Sequence, residues 1–252
     1  MRASTHISVR PAPDYALHLP SHLLILLGLG ALGGALGLGL LIAAPTIPAL
    51  LGALLLVLAL LSAALGLALG VITSPRLRAA ARRRMLEAVD WRGDKQVLDV
   101  GCGNGFLLVE VAKRLSSGKA TGIDLWMTGA GDQTADVAWR NAQLEGVAER
   151  VDIRNVDARA MPFGDQTFDV IVSSLMLHHA GGGADRERVL REMTRVLKPG
   201  GTLLLYDVAP LIGGAARTLD QLGLGSIQRR GWLMALLSAR SPVERLGEPE
   251  LV

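Results

Sequence analysis

Between Asp14 and Arg76 the chain contains no aspartate, glutamate, lysine or arginine. So long an uncharged stretch excludes an ordinary solvent-facing segment, whose helices keep a polar face toward water. Cysteine is almost absent as well. Cys102 is the only one, which rules out an intrachain disulfide and fits a reducing compartment. The five histidines are scattered apart from the pair His178 and His179, so no Cys/His metal site is expected. Aromatic residues make up only 4% of the chain, and its second half has no dense basic patch interleaved with them. That composition argues against a nucleic-acid partner.

What fills the uncharged stretch is apolar. Residues 23–44 are an unbroken run rich in Leu, Gly, Ala and Ile; as a helix such a run extends roughly 33 Å, enough to cross a hydrocarbon core of about 30 Å. Pro45-Thr46-Ile47-Pro48 interrupts the pattern, and residues 49–72 repeat it. The expectation is a transmembrane helical hairpin over residues 23–73, preceded by a short cytoplasmic segment, 1–22. Arg2 and Arg10 precede the first run; Arg76, Arg78, Arg82, Arg83 and Arg84 follow the second. The positive-inside rule then predicts an integral membrane protein with both termini and everything beyond residue 73 in the cytoplasm. Gly30/Gly34, Gly33/Gly37 and Gly66/Gly70 have the small-xxx-small spacing that lets helices approach closely. A cleaved signal peptide is the rival reading of Arg2 and Arg10, and the second full-length run argues against it. Residues 74–93 read as a basic linker helix. It suits either an anionic membrane surface or packing on the domain that follows.

From residue 94 the pattern changes to short β-branched strands alternating with longer amphipathic helices. Strands are expected at 96–100, 120–124, 151–155, 168–173 and 202–207, with helices at 106–115, 132–145 and 184–197. Alternation of this kind predicts an α/β fold with a doubly wound, mostly parallel sheet over residues 94–208. Residues 209–252 read instead as glycine-broken helical stretches with at most one strand, at 233–238. A lid or a membrane-contacting helix around Trp232 is expected there.

The first strand runs directly into Val97-Leu98-Asp99-Val100-Gly101-Cys102-Gly103-Asn104-Gly105. Its G-x-G-x-G spacing differs from the G-x-G-x-x-G of dinucleotide binders. Asp99, two residues before the first glycine, would attract an ammonium group and repel a pyrophosphate. A nicotinamide-dependent oxidoreductase is therefore disfavoured. These residues resemble the first motif of class I S-adenosylmethionine-dependent methyltransferases, in the methyltransferase-11-like branch that acts on small molecules. The rest of the pattern follows in register: Gly122-Ile123-Asp124-Leu125, Asp157-Ala158, Phe168 to Ser174, and Val196-Leu197-Lys198-Pro199-Gly200-Gly201. The resemblance implies a Rossmann-like fold with S-adenosylmethionine as cofactor. It assigns Asp99, Gly101, Cys102, Gly103, Asp124, Leu125, Asp157, Ala158 and Ser174 to the cofactor site, with Asp124 on the ribose and Asp157-Ala158 near the adenine.

His178 and His179 follow the fourth strand, where an acceptor would lie, and either is a candidate general base. Asp207, ending the fifth strand, is a further residue of the same mouth. The expected acceptor is a small molecule, lipid or quinone-like, because a membrane anchor concentrates the enzyme near such compounds. A membrane scaffold or sensor that binds the cofactor without turnover is the alternative. The oligomeric state is not readable from these residues.

Overall fold

The computed structural model describes residues 12–15, ten positions between 25 and 42, and residues 47–72, 74–126, 134–231 and 234–243. The chain forms two compact units: residues 17–81 are one, and residues 1–16 together with 82–252 are the other.

In the smaller unit every described position from 25 to 42 is helical, and α1 spans Ile47–Ile72. Pro48 sits at the second position of α1, where its missing N–H lacks an intrahelical partner anyway. A Cβ added to Gly30 would meet Ser62 Oγ at 2.8 Å, and one on Gly34 would touch Ala59 Cβ at 3.7 Å. Two of the expected glycines therefore let the helices approach closely; Gly33 and Gly37 lie outside the described residues. Among the described residues no helix is long and apolar enough to cross a membrane. The expected transmembrane hairpin is therefore not supported. Helix α1 has 26 residues without a charged one. Leu50, Leu54, Val57, Leu58, Leu61 and Leu65 are exposed on it, on the side away from buried Ala59.

The larger unit is a layered α/β domain. Helix α2 (Pro75–Leu86) leads into it, and its last turn is buried at Met85 and Leu86. Then follow β1 (Gln96–Val100), α3 (Phe106–Ala112), β2 (Lys119–Asp124), α4 (Ala135–Leu144), β3 (Val151–Asn155), β4 (Phe168–Ser174), α5 (Gly183–Val196), β5 (Leu197–Val208), α6 (Ala209–Gln221), β6 (Gly225–Arg230) and β7 (Met234–Arg240). The sheet order is β3-β2-β1-β4-β5-β7-β6. Strands β1 to β5 pair in parallel, and β7 runs antiparallel to both its neighbours.

The expected departure from this architecture after residue 208 does not occur. Helix α6 and the β6–β7 pair complete the sheet, so the lid or membrane-helix reading of 209–252 is corrected. The cause is compositional. Strand β6, Gly-Ser-Ile-Gln-Arg-Arg, is a polar edge strand with only Ile227 partly covered, so it lacks hydrophobic alternation. In β7, Ala235, Leu237 and Ala239 are buried and alternate with half-exposed residues, but two of the three are alanines. Trp232, the proposed membrane contact, lies outside the described residues. Lys198-Pro199-Gly200-Gly201 falls inside β5, with Gly200 at φ 72°.

Side chains alternate across the pleat into two cores. Leu98, Ile171, Leu203, Leu205 and Leu237 pack with α5 and α6 on one face. Val97, Val172 and Leu204 pack with α3 and the end of α2 on the other. That second face settles the reading of the linker helix, at least for its end. Met85 and Leu86 are core residues, each worth about 1.5–3 kcal/mol of burial, so the last turn of α2 packs on the domain. Between β1 and β4 the order of the sheet reverses direction, and ligands in such sheets bind beyond the strand tips at that point.

Candidate cofactor and catalytic site

The loop after β1 is built from left-handed glycines: Gly101, Gly103 and Gly105 have φ of 76°, 53° and 80°. Residues with a Cβ pay roughly 1–2 kcal/mol for that conformation. Gly101 has a second reason to lack a side chain, since a Cβ there would overlap Met176. The Gly101 and Cys102 N–H groups both donate to Ile123 O, at 2.8 and 3.1 Å, which folds the loop over the end of β2. Gly103 N–H donates to Asp124 Oδ2 at 2.7 Å. Loop and acid thus position each other. Burial raises the Asp124 carboxyl above its ordinary value, while the N–H groups of Gly103 and Leu125 oppose the rise. Leu125 itself is exposed.

Asp99 is 2% exposed. Burial pushes its carboxyl up to about 7; the nearby Arg82 charge pulls it down and Asp124 adds to the rise. Asp99 and Ser174 share the sheet face against which α2 ends. There Arg82 Nε donates to the Ser174 hydroxyl at 3.0 Å, and its guanidinium lies 5.3 Å from the centre of the Phe106 ring. Cys102 is buried, and burial, with Asp99 and Asp124 beside it, pushes its thiol well up. A thiol held protonated is no nucleophile, so Cys102 serves as a small residue of the loop.

Four buried side-chain N or O atoms have no hydrogen-bond partner among the described residues: Asp99 Oδ2, Asn104 Oδ1, Trp126 Nε1 and Arg150 Nε. The first three belong to the glycine loop, the strand feeding it, and the segment just past Asp124. Unsatisfied buried polar atoms are costly, and their concentration here fits a polar ligand that supplies the missing partners.

Asp157 is placed differently from the expectation of a free ligand contact. Val156 N–H donates to Asp124 O at 3.1 Å, which brings this segment beside the end of β2. The Asp157 carboxylate, however, forms a forked pair with Arg159 at 2.7–3.0 Å, and that pairing lowers its pKa. Ala158 is half-buried against the core.

His178 and His179 form a short 3-10 turn with Leu177 just past β4. Leu175 enters that turn with φ 58°, an uncommon conformation for a branched residue, and its N–H donates to Tyr206 O at 2.8 Å. His178 Nδ1 lies 3.0 and 3.2 Å from the two oxygens of Asp207, whose carboxylate is buried at the end of β5 and also accepts the Val208 N–H at 2.8 Å. The two imidazole rings are 3.9 Å apart. Partial burial and the neighbouring His178 hold His179 below its ordinary pKa.

Sequence reading missed two contributors. Arg82 had been grouped with the linker's cations, because a basic helix after an apolar run carries no mark of which arginine turns inward. Residues 14 and 15 also lie on the glycine loop. Asn141 donates to Asp14 O at 2.6 Å and accepts its N–H at 2.8 Å, Tyr15 packs edge-on against Phe106 at 5.1 Å, and the Tyr15 hydroxyl donates to Glu145 at 3.1 Å. Contacts across more than a hundred residues leave no local signal.

Residues 98–205 match the family model of a methyltransferase domain. The chain is 36% identical over 126 residues to the 27-O-demethylrifamycin SV methyltransferase of Amycolatopsis mediterranei, covering 49% of this chain and 42% of that one. It is 31% identical over 151 residues to the ubiquinone/menaquinone biosynthesis C-methyltransferase UbiE of a Ruegeria species, covering 58% and 57% respectively. The aligned region thus spans about half the length of these relatives. Among solved structures, a methyltransferase from Aquifex aeolicus superposes with a TM-score of 0.54 at 23% identity, over 66% of this chain and 92% of its own; that likeness concerns the fold. The segment 98–205 thus matches a methyltransferase domain in sequence, and its fold is one that such domains adopt.

Proposed function

We propose that the chain is a membrane-anchored methyltransferase that methylates a hydroxyl group on a small, lipophilic or membrane-associated acceptor. The observation that carries the hydroxyl is the His178–Asp207 pair. A buried carboxylate 3.0 Å from Nδ1 favours the tautomer with the proton on that nitrogen, leaving Nε2 to accept one. An acceptor hydroxyl must lose its proton as it is methylated, and a positioned histidine base typically contributes 10²–10⁴-fold. His179, whose pKa partial burial and the neighbouring His178 hold below its ordinary value, stands beside it.

When bound, S-adenosylmethionine supplies a methyl group already activated on a sulfonium. Asp99 would hold the cofactor's ammonium, Asp124 would accept from its ribose hydroxyls, and the loop Gly101-Cys102-Gly103 would let the backbone come close. Leu125, Asp157 and Ala158 would lie on the adenine side, and Ser174 at the methionine end.

Support for the anchor comes from α1, uncharged along 26 residues with a wide exposed apolar face, which lipid would cover and water would penalise. Residues on both flanks of the apolar segment, up to residue 16 and from residue 82, belong to the α/β unit. A chain that leaves one body and returns to it crosses a bilayer an even number of times, as a hairpin does. The positive-inside rule then favours the cytoplasm for both termini and the catalytic unit. Relatives named for a rifamycin and for quinone biosynthesis favour a small-molecule acceptor.

The test is incubation of the full chain with methyl-labelled S-adenosylmethionine and membranes of its host, followed by solvent extraction. Label in an extractable small molecule, released by chemistry that cleaves methyl ethers, is expected. Tight cofactor binding with no label in any fraction would favour the scaffold or sensor reading.

A further inference from the structure

We propose that Arg195 and Glu192, near the end of α5, are positioning residues that fix which base the cofactor site accepts. The proposal rests on the reading of this site as one for S-adenosylmethionine, with the base beside Asp157 and Ala158. Residues 156–167 join β3 to β4 outside the sheet, so no strand ladder sets where Asp157 and Ala158 stand. A segment that reads a base by hydrogen bonds has to be held to within about 0.5 Å.

The holding groups come from α5. A guanidinium has five N–H donors in a rigid fork, and at Arg195 all of them find acceptors. Nε and Nη2 donate to the two oxygens of Glu192, both at 2.8 Å. The remaining donors reach Met161 O at 3.0 Å, Phe163 O at 2.8 Å and Asp165 Oδ1 at 2.7 Å. Glu192 Oε2 in turn accepts the Met161 N–H at 2.7 Å, so the pair grips both backbone polar groups of that residue. Main-chain oxygens at the end of α5 complete the clamp. Gln166, left-handed at φ 51°, donates its N–H to Arg195 O at 2.9 Å, and Thr167 N–H donates to Val196 O at 2.8 Å. The grip reaches Asp157 through a tight turn, in which Ala160 N–H donates to Asp157 O at 3.0 Å and Arg159 N–H to Asp157 Oδ1 at 2.9 Å. Helix α5 is itself fixed, because Val189, Leu190 and Met193 are buried in the core. Met161 and Phe163 pack on that same core, but apolar burial is non-directional. The clamp adds the direction of each backbone group. With its donors all engaged, Arg195 acts on the base only through the segment it holds.

The experiment measures binding of S-adenosylhomocysteine, the product left after methyl transfer, and of its deaminated counterpart S-inosylhomocysteine to the full chain in detergent, by calorimetry. The two differ only along one edge of the base, where adenine's amino donor is replaced by a carbonyl acceptor. Wild type is expected to prefer the adenine form by about ten-fold or more, because an acceptor placed for that donor is left unpaired by the analogue. Arg195→Gln should reduce the preference to about two-fold or less. Arg195→Lys, with three donors in place of five, should retain only part of it. Glu192→Gln keeps an acceptor for the Met161 N–H and should lose less than Arg195→Gln does; it provides a second reading if Arg195→Gln fails to fold. A merely structural role would lower the melting temperature and the fraction of chain that binds while leaving the preference as in wild type. That result in the variants that fold overturns the assignment, as does a wild type that binds both ligands equally. Failure of wild type to bind either ligand would instead overturn the cofactor reading, and the role of the clamp with it.

Discussion

His178 and Asp207 come from the ends of two neighbouring parallel strands and meet with Nδ1 3.0 Å from the carboxylate. Of the two, Asp207 is the buried partner, so it orients the histidine, which under the proposed function would face the acceptor. Asp207→Asn is expected to lower the methyl-transfer rate by about 10²–10⁴-fold with affinity for S-adenosylmethionine unchanged. Single-turnover kinetics beside calorimetry reads both. A variant that transfers methyl at the wild-type rate would remove the base from the mechanism.

Asp99 sets a pH dependence whose sign is opposite for stability and for binding. Its folded-state pKa, raised to about 7 by burial, means that its contribution to stability is present at low pH and lost as pH rises through that value. Asp99→Asn should therefore raise the unfolding free energy of the ligand-free protein at pH 8, by on the order of 1–3 kcal/mol, and change it little near pH 4, below which both states are protonated. Binding of S-adenosylmethionine needs the ionised form. Wild-type affinity should strengthen between pH 6 and 8, a trend the variant lacks. Identical melting of the two proteins at pH 8 would show that the charge is relieved in some other way.

Gly101 is constrained twice, by φ of 76° and by Met176. Gly101→Ala should destabilise the fold by more than the roughly 1–2 kcal/mol of left-handed strain alone and abolish measurable cofactor binding. Adding Met176→Gly removes both the Cβ and the Cγ that would overlap but not the strain, so the double variant, compared with Met176→Gly alone, should recover only the excess. Chemical denaturation of the three variants checks this; full recovery would mean that the backbone conformation is unstrained.

Alkaline carbonate strips peripheral proteins and leaves embedded ones behind. The full chain should remain in the pellet, and protease applied from the cytoplasmic side should reach both termini. Release by carbonate would end the anchor proposal and leave the α/β unit as it is.

How much of this is legible in the residues depends on where the information sits. Strands β1 to β4 are short β-branched runs, and the Asp99–Gly105 loop has a spacing tied to one kind of ligand, so both are readable locally. Strand β6 is not: at the sheet's edge, selection favours exposed polar residues such as Gln228, Arg229 and Arg230 over alternation. The roles of Arg82 and Asp14 are set by partners about 90 to 127 positions away, and no window of sequence contains both halves of such a pair.

The clasp between Asp14 and Asn141 joins positions 127 residues apart. During synthesis its first half leaves the ribosome well before its second exists, with both apolar runs made in between. The amino-terminal strap must therefore wait, undocked, while those runs find their place. Closure over the glycine loop can be only a late event, made after residue 141 has emerged. Assembly of the α/β unit is thus ordered in time by its topology, because the clasp can form only once both its halves exist.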